Sequence, residues 1–245
     1  MSAATTLDTL IAAIKGQRLQ RQLLSEKPTV FGLIFVDAHE HPLPDQPLHF
    51  EFLGNGANKS VFAVTVGGTH KTPTDWVLCV QNSMLTPATK EFAGETGILA
   101  YVGSKGVRVP RPFETPLPKD FIVDVLLSND EDSHHVAGCA FFMQRLDIGG
   151  RFIEMRKLDK PEDFMKKCLG EKDAIKHVAT TIDAVKHIRT VFDANPWADF
   201  QVLYDKADGG LMVFDPWPDK AGIKQKAVDD MLDKWLHDLG AAVKH

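Results

Sequence analysis

The sequence predicts an α+β fold in which a β-rich half is followed by a helical half. Between residues 30 and 143, short apolar runs are separated by Gly, Pro, Asn and Asp clusters, a pattern typical of antiparallel strands. Beyond Leu146 the apolar residues recur at helical spacing instead. The 245 residues are 44% apolar, enough for a substantial core, and the change of pattern near residues 143–150 predicts two lobes.

The first half begins with an amphipathic helix predicted over residues 5–24, because Leu7, Leu10, Ile11 and Ile14 are spaced close to one helical face. We expect this helix to pack against the rest of the chain. One further helix, predicted over 87–102, interrupts a series of strands. The predicted strands are 31–36, 48–53, 61–66, 76–80, 121–127 and 136–143.

The second half is predicted to be mainly helical. Periodic apolar residues predict helices over 161–169 and 171–192, and a closing helix over 225–243. A short strand pair is predicted between them, at 201–204 and 211–214.

Composition excludes several classes of function. Lys and Arg number 28 and Asp and Glu 33, giving a formal charge of −5 without blocks of like charge, so no nucleic-acid partner is expected. No apolar run approaches the roughly 20 residues of a membrane helix, so no membrane association is expected. The N-terminal stretch lacks the features of a secretory signal, and the 3 cysteines lack metal-ligand spacing. A cytoplasmic location is therefore expected.

The strongest local motif is L-G-N-G-A-N-K-S-V, residues 53–61, between two predicted strands. Gly54 and Gly56, which flank Asn55, allow backbone N–H groups to approach phosphate oxygens without an intervening Cβ. Residues 60–66 alternate and contain β-branched side chains, so the loop leads into a strand and not into the helix of a Rossmann site. For this segment alone, an ordinary hairpin turn is the alternative.

Four further stretches follow in order: W-V-L-C-V (76–80), E-T-G-I-L-A-Y-V (95–102), F-F-M-Q-R-L (141–146) and G-G-L-M-V-F-D-P (209–216). With the glycine loop, they resemble the protein-kinase-like superfamily over residues 47–245. The glycine loop, the D-P pair and the 30 residues after Asp215 are most similar to the minimal kinases of T7-like phages. The resemblance implies an N-terminal helix and extension over 1–46, a β-rich kinase-like N-lobe over 47–145 and a reduced helical C-lobe over 146–245.

The resemblance also implies how ATP binds. Cys79 stands where kinases carry the phosphate-binding lysine, and Lys59 lies in the glycine-rich loop, an arrangement similar to that of the with-no-lysine kinases. We therefore expect Lys59 to neutralise the phosphates and to pair with Glu95. The remaining nucleotide-binding residues are expected to be Gly54, Asn55 and Gly56 over the phosphates, and Met143, Gln144 and Leu146 at the adenine.

The catalytic loop is the least regular part of the resemblance. A kinase places an aspartate, which orients the acceptor hydroxyl, five residues before a metal-binding asparagine. Here Gln201 occupies the asparagine position and Pro196 the aspartate position. Either Asp193 or Asp199 acts as the base, or the chain has none. Asp215 is expected to hold Mg²⁺ together with Gln201.

Several other charged residues near these motifs have simpler interpretations. Asp205, like Asp199, is equally well interpreted as a surface charge. Arg145 and Arg151 follow the hinge segment and are candidates to contact nucleotide or substrate.

The leading hypothesis is an ATP- and Mg²⁺-dependent serine/threonine protein kinase acting on protein hydroxyls, as a phage protein or an effector in the host cytoplasm. A pseudokinase that binds and inhibits a host protein is the first alternative, favoured by the irregular segment 193–201. A small-molecule kinase resembling aminoglycoside phosphotransferases is the second. The 99 residues after Leu146 leave little room for the larger helical lobe of such enzymes.

Overall fold

The computed structural model describes residues 10, 12, 14–15, 18–23, 31–46, 48–55, 59–67, 72–81, 97–111, 122–126, 133–137, 140–155, 174–194, 197–218 and 225–242. The chain divides into two compact units. The first unit comprises residues 1–96 and 112–145, and the second comprises residues 97–111 and 146–245. Residues 97–111 therefore belong to the second unit, although they lie within the segment that the resemblance assigns to the N-lobe.

The described residues of the first unit form an eight-stranded sheet. Its strands are β1 Arg18–Leu23, β2 Phe31–Val36, β3 Leu48–Asn55, β4 Lys59–Val66, β5 Thr72–Gln81, β6 Ile122–Leu126, β7 Ser133–Ala137 and β8 Ala140–Gln144. They are arranged in the order β7-β6-β1-β2-β3-β4-β5-β8. All neighbours are antiparallel except β1 and β6, which are parallel.

Side chains alternate between the two faces of this sheet along its central strands. One face forms the main core of the unit, which includes Leu19, Leu33, Phe35, Leu48, Phe62, Leu78, Val80 and Phe142. Leu10 and Ile14, which have helical conformation, join this core. The opposite face carries a smaller apolar group, the Cys79 cluster, formed by Val61, Val77, Cys79, Phe141 and Met143.

In the second unit, the helices that the structure describes pack against a sheet of three described strands. The strands are β9 Phe152–Met155, β10 Trp197–Asp205 and β11 Leu211–Pro218, in the order β11-β10-β9. The helices are α1 (97–104), α2 Ala174–Ala194 and α3 Gln225–Ala242. Their shared core includes Val102, Val178, Val185, Ile188, Tyr204, Val213, Leu232 and Trp235. None of the helices among the described residues combines the length and apolarity needed to cross a bilayer.

The predicted α+β class is confirmed, whereas the two-lobe kinase plan stays a prediction. The helix predicted over 5–24 is wrong over residues 18–23, which form β1. Leu19 and Leu23 fit a helical face and an alternating strand equally well, and pairing along the whole of β2 decides for the strand. The single strand predicted over 136–143 is also wrong, because β7 pairs with β6 and β8 pairs with β5.

Candidate functional site

The glycine-rich segment lies at the turn of the β3–β4 hairpin. Gly54 pairs with Val61, after a register shift between Phe52 and Gly54. An added Cβ at Gly54 would have no atom of the described residues within 4 Å. Packing against these residues therefore does not require a glycine here, and the backbone of the turn is open to solvent on this side. Gly56 and the side chain of Asn55 lie outside the described residues.

Lys59 is the first residue of β4 and follows this turn directly. It lies opposite Gln81 on β5, while Val61 lies opposite Cys79. Because side chains alternate along a strand, Lys59, Val61 and Cys79 face the same side of the sheet. Lys59 and Cys79 are diagonal neighbours, at a typical separation of roughly 7–8 Å. The half-buried Lys59 side chain therefore extends from the same face of the sheet as residue 79.

The Cys79 cluster extends this surface away from Lys59. Cys79 lies opposite Phe141 on β8, and Val77 lies opposite Met143. The side chains of Val77, Cys79 and Phe141 are buried, and those of Val61 and Met143 partly so. The partly exposed Val61 and Met143 leave an apolar edge beside an ammonium group and a glycine-rich turn, a combination that suits a ligand with a flat apolar ring and an anionic tail.

The predicted adenine-binding segment begins in the last strand of the described sheet. The N–H of Arg145 donates to the carbonyl of Asp75, 2.8 Å away. Because alternate residues of an antiparallel pair exchange hydrogen bonds, Met143 directs its backbone groups toward β5 and Gln144 directs its groups to the opposite edge. The carbonyl of Leu146 accepts a hydrogen bond within the following turn, 3.0 Å long.

The segment predicted to form the catalytic loop is short. Helix α2 ends at Ala194 and β10 begins at Trp197. Asp193 is an exposed residue at the end of α2, while Asp199 and Gln201 both lie within β10. The residues between Gln201 and Pro196, the position of a kinase aspartate, therefore belong to β10, and Asp193 lies farther back at the end of α2.

The predicted metal ligands Gln201 and Asp215 lie on neighbouring strands. Gln201 is half-buried and pairs with Phe214, the residue before Asp215. Amide and carboxylate oxygens are ligands that suit Mg²⁺. The side chains of Asp199 and Asp215, and all of Glu95, lie outside the described residues. Across the part of the chain that is described, no group of three His, Cys, Asp or Glu side chains is placed to bind a metal.

Asp205, the last residue of β10, is fully buried, so its interpretation as a surface charge is wrong. Its Oδ2 accepts hydrogen bonds from Nη2 of Arg108 and from Nη2 of Arg151, each 2.7 Å long. Its Oδ1 accepts from Nε of Arg151 at 2.9 Å and from the N–H of Ala207 at 3.0 Å. Nη1 of Arg108 also pairs with Asp208 at 2.9 Å. We call Asp205, Arg108 and Arg151 the Asp205 clamp.

The clamp fixes the charge of the buried carboxylate. Burial raises the pKa of Asp205, but hydrogen bonds from Arg151, from the N–H of Ala207 and from Arg108 outweigh this effect and lower the pKa to about 2. The hydrogen bond to Asp205 raises the pKa of the Arg151 guanidinium in turn. Asp205 is therefore ionised at neutral pH, and Arg151, expected near nucleotide or substrate, instead binds this carboxylate.

The clamp was not predicted because its partners are distant in the sequence, 97 residues for Arg108 and 54 for Arg151. A partial signal was present, since Asp205 directly follows the apolar run Val202–Leu203–Tyr204, where a strand end is a natural site for a partnered acid. The strand was predicted, but the partners of its last residue were not.

No protein-family model matches the chain, and a search of curated proteins gives no match. The predicted site residues are divided between the units. The first unit contains Gly54, Asn55, Gly56, Lys59, Glu95, Met143 and Gln144, and the second contains Leu146, Asp193, Asp199, Gln201 and Asp215.

Proposed function

We propose that this protein is an ATP- and Mg²⁺-dependent phosphotransferase organised like a minimal protein kinase. The observation that carries the proposal is the position of Lys59, which follows the glycine-rich turn and shares one face of the sheet with Cys79. In kinases the α- and β-phosphates are neutralised by a lysine on the strand that corresponds to β5, at the position of Cys79. A cysteine thiol carries no positive charge and cannot take this role. Lys59, on the adjacent strand and on the same face, would supply that positive charge from a position close to residue 79.

The surface beside Lys59 supports binding of a nucleotide in one orientation. The adenine ring would pack against Val61 and Met143, the partly exposed members of the Cys79 cluster, next to the end of β8. The triphosphate would extend toward the β3–β4 turn, where Gly54 and Gly56 allow backbone N–H groups to approach it. Glu95 would pair with Lys59, as the resemblance implies.

The transfer step follows the general chemistry of phosphoryl transfer. The hydroxyl oxygen of the acceptor bonds to the γ-phosphorus, the bond from that phosphorus to the β–γ bridging oxygen breaks, and ADP leaves. Asp193 or Asp199 takes the hydroxyl proton, a contribution typically of about 10² to 10⁴ in rate. Asp215 and Gln201 would hold Mg²⁺, which offsets the negative charge of the phosphates when bound.

We propose a serine or threonine hydroxyl of a protein as the acceptor, and the cytoplasm of a bacterial host as the place of action. The formal charge of −5 argues against nucleic acid as the acceptor.

One observation favours a second candidate, a pseudokinase that binds nucleotide and inhibits a host protein. The connection from α2 to β10 leaves Asp193 on a helix and Gln201 within a strand. A chain with this connection can retain the phosphate-binding lysine and lack a positioned base.

The test is transfer of labelled phosphate from ATP, with Mg²⁺, to the protein itself and to a bacterial lysate. We expect transfer by the wild type and a loss of about 10²-fold or more in Lys59→Ala, because charge stabilisation is a large part of such catalysis. Lys186→Ala is the matched control, since Lys186 is an exposed lysine on α2. ATP binding without transfer supports the pseudokinase, and neither binding nor transfer overturns both candidates.

A second variant tests whether a lysine at another position on the same face can replace Lys59. In Lys59→Ala/Cys79→Lys the lysine moves to the neighbouring strand on the same face. We expect this variant to recover part of the transfer lost in Lys59→Ala. Because residue 79 is buried, a melting curve must first show that the variant folds. A folded double variant with no recovery would contradict the role given to Lys59.

A further inference from the structure

The Asp205 clamp joins two segments that lie next to the points where the chain passes between the units. Arg108 belongs to residues 97–111, after which the chain returns to the first unit. Arg151 belongs to the segment that begins at Leu146, where the chain comes from β8 of the first unit. One buried carboxylate therefore binds both segments.

Backbone hydrogen bonds reinforce this connection. The carbonyl of Arg108 accepts from the N–H of Val213 on β11, at 2.8 Å, and the carbonyl of Arg151 accepts from the N–H of Lys206, at 3.1 Å. Both segments are thus attached to the β10–β11 hairpin by main chain and side chain. The arginine side chains are 37% and 51% exposed, whereas the carboxylate is 0% exposed, so the shared acceptor is the buried part of the clamp.

We propose that Asp205 is a positioning residue whose two ion pairs hold residues 97–111 and 146–155 in place on the β10–β11 hairpin. The expected effect on phosphate transfer rests on the proposed function, whereas the holding of the two segments by Asp205 is independent of it. The Arg151 segment continues directly from Met143 and Gln144 at the adenine side. The Arg108 segment begins with α1, whose first residue, Gly97, comes shortly after Glu95 in the sequence.

Hydrogen exchange of the full chain tests the clamp itself. We expect Arg108→Gln to speed exchange about tenfold in residues 97–111, and Arg151→Gln to do so in residues 146–155, because each loses its charged bond to Asp205. Asp205→Asn should loosen both segments. Arg189→Gln is the matched control, because Arg189 pairs with Asp233 elsewhere in the same unit and should loosen neither segment. Unchanged exchange, or an equal increase throughout α3, would overturn the proposal.

Steady-state kinetics test the positioning role, since loss of stability alone does not separate the two constants. We expect Arg151→Gln to raise KM for ATP about tenfold with little change in kcat, because residues 146–155 continue from the adenine segment, and Arg189→Gln to change neither constant. Equal effects in both variants would overturn the positioning role. If the wild type neither binds ATP nor transfers phosphate, the proposed function is overturned. The hydrogen-exchange experiment then still tests whether the Asp205 clamp holds the two segments.

Discussion

Substitution Asp205→Asn should destabilise the second unit by about 2 to 3 kcal/mol at neutral pH. The pKa of Asp205 falls from its ordinary value of 3.8 to about 2 in the folded chain. This lowering of the pKa corresponds to about 2 kcal/mol of favourable interaction with the ionised carboxylate. The substitution also leaves two arginines facing an amide. They are 37% and 51% exposed, so water solvates them in part and the cost stays near the lower end of the range for a broken buried pair.

The sign of the pH dependence follows from the lowered pKa. The contribution of Asp205 is fully present above about pH 5 and is lost as pH falls through 3.8 toward about 2, because the unfolded chain takes up the proton first. Urea unfolding followed by far-UV circular dichroism measures it, since α2 and α3 both belong to the second unit. Comparing wild type and variant at each pH cancels the other carboxylates. A difference below about 0.5 kcal/mol at pH 7, or one that does not shrink at about pH 2, would refute the reasoning.

Two further substitutions test the packing of each unit separately. Gly209→Ala should lower the free energy of unfolding by more than about 2 kcal/mol, because the backbone φ is +71° and an added Cβ would overlap the Cβ of His177. A free energy of unfolding equal to that of the wild type would contradict this. Phe62→Ala should cost about 3 to 5 kcal/mol, since Phe62 is fully buried in the core of the first unit and its ring lies edge-on to that of Phe52. Hydrogen exchange of β4 and β5 in increasing concentrations of urea measures it, and a cost below about 1 kcal/mol would count against the packing described.

Periodicity in the sequence predicted those elements in which the local pattern and the long-range pairing agree. The strand over 31–36, the pair at 201–204 and 211–214 and the closing helix are confirmed, because the strands are short apolar runs and the helix has apolar residues at helical spacing. The helix prediction for residues 18–23 was wrong because the spacing of their two leucines fits both the helical and the strand period. Pairing with β2, a long-range interaction, then determined the structure.

The candidate site divides in the same way. The sequence predicts the glycine-rich turn and the residue types of Lys59 and Cys79, but their placement on one face depends on the register between β4 and β5, which no local pattern specifies. The Asp205 clamp lay beyond prediction for the same reason, since its arginines come from segments far along the chain. Register and ion pairing are properties of the folded chain.

The central claim is that Lys59 binds the phosphates of ATP, and calorimetric titration of the protein with ATP in the presence of Mg²⁺ tests it most directly. The account predicts saturable binding that weakens by about tenfold or more in Lys59→Ala, equivalent to about 1.4 kcal/mol, and is unchanged in Lys186→Ala. Wild-type affinity in a folded Lys59→Ala variant, or no binding by the wild type, would contradict it.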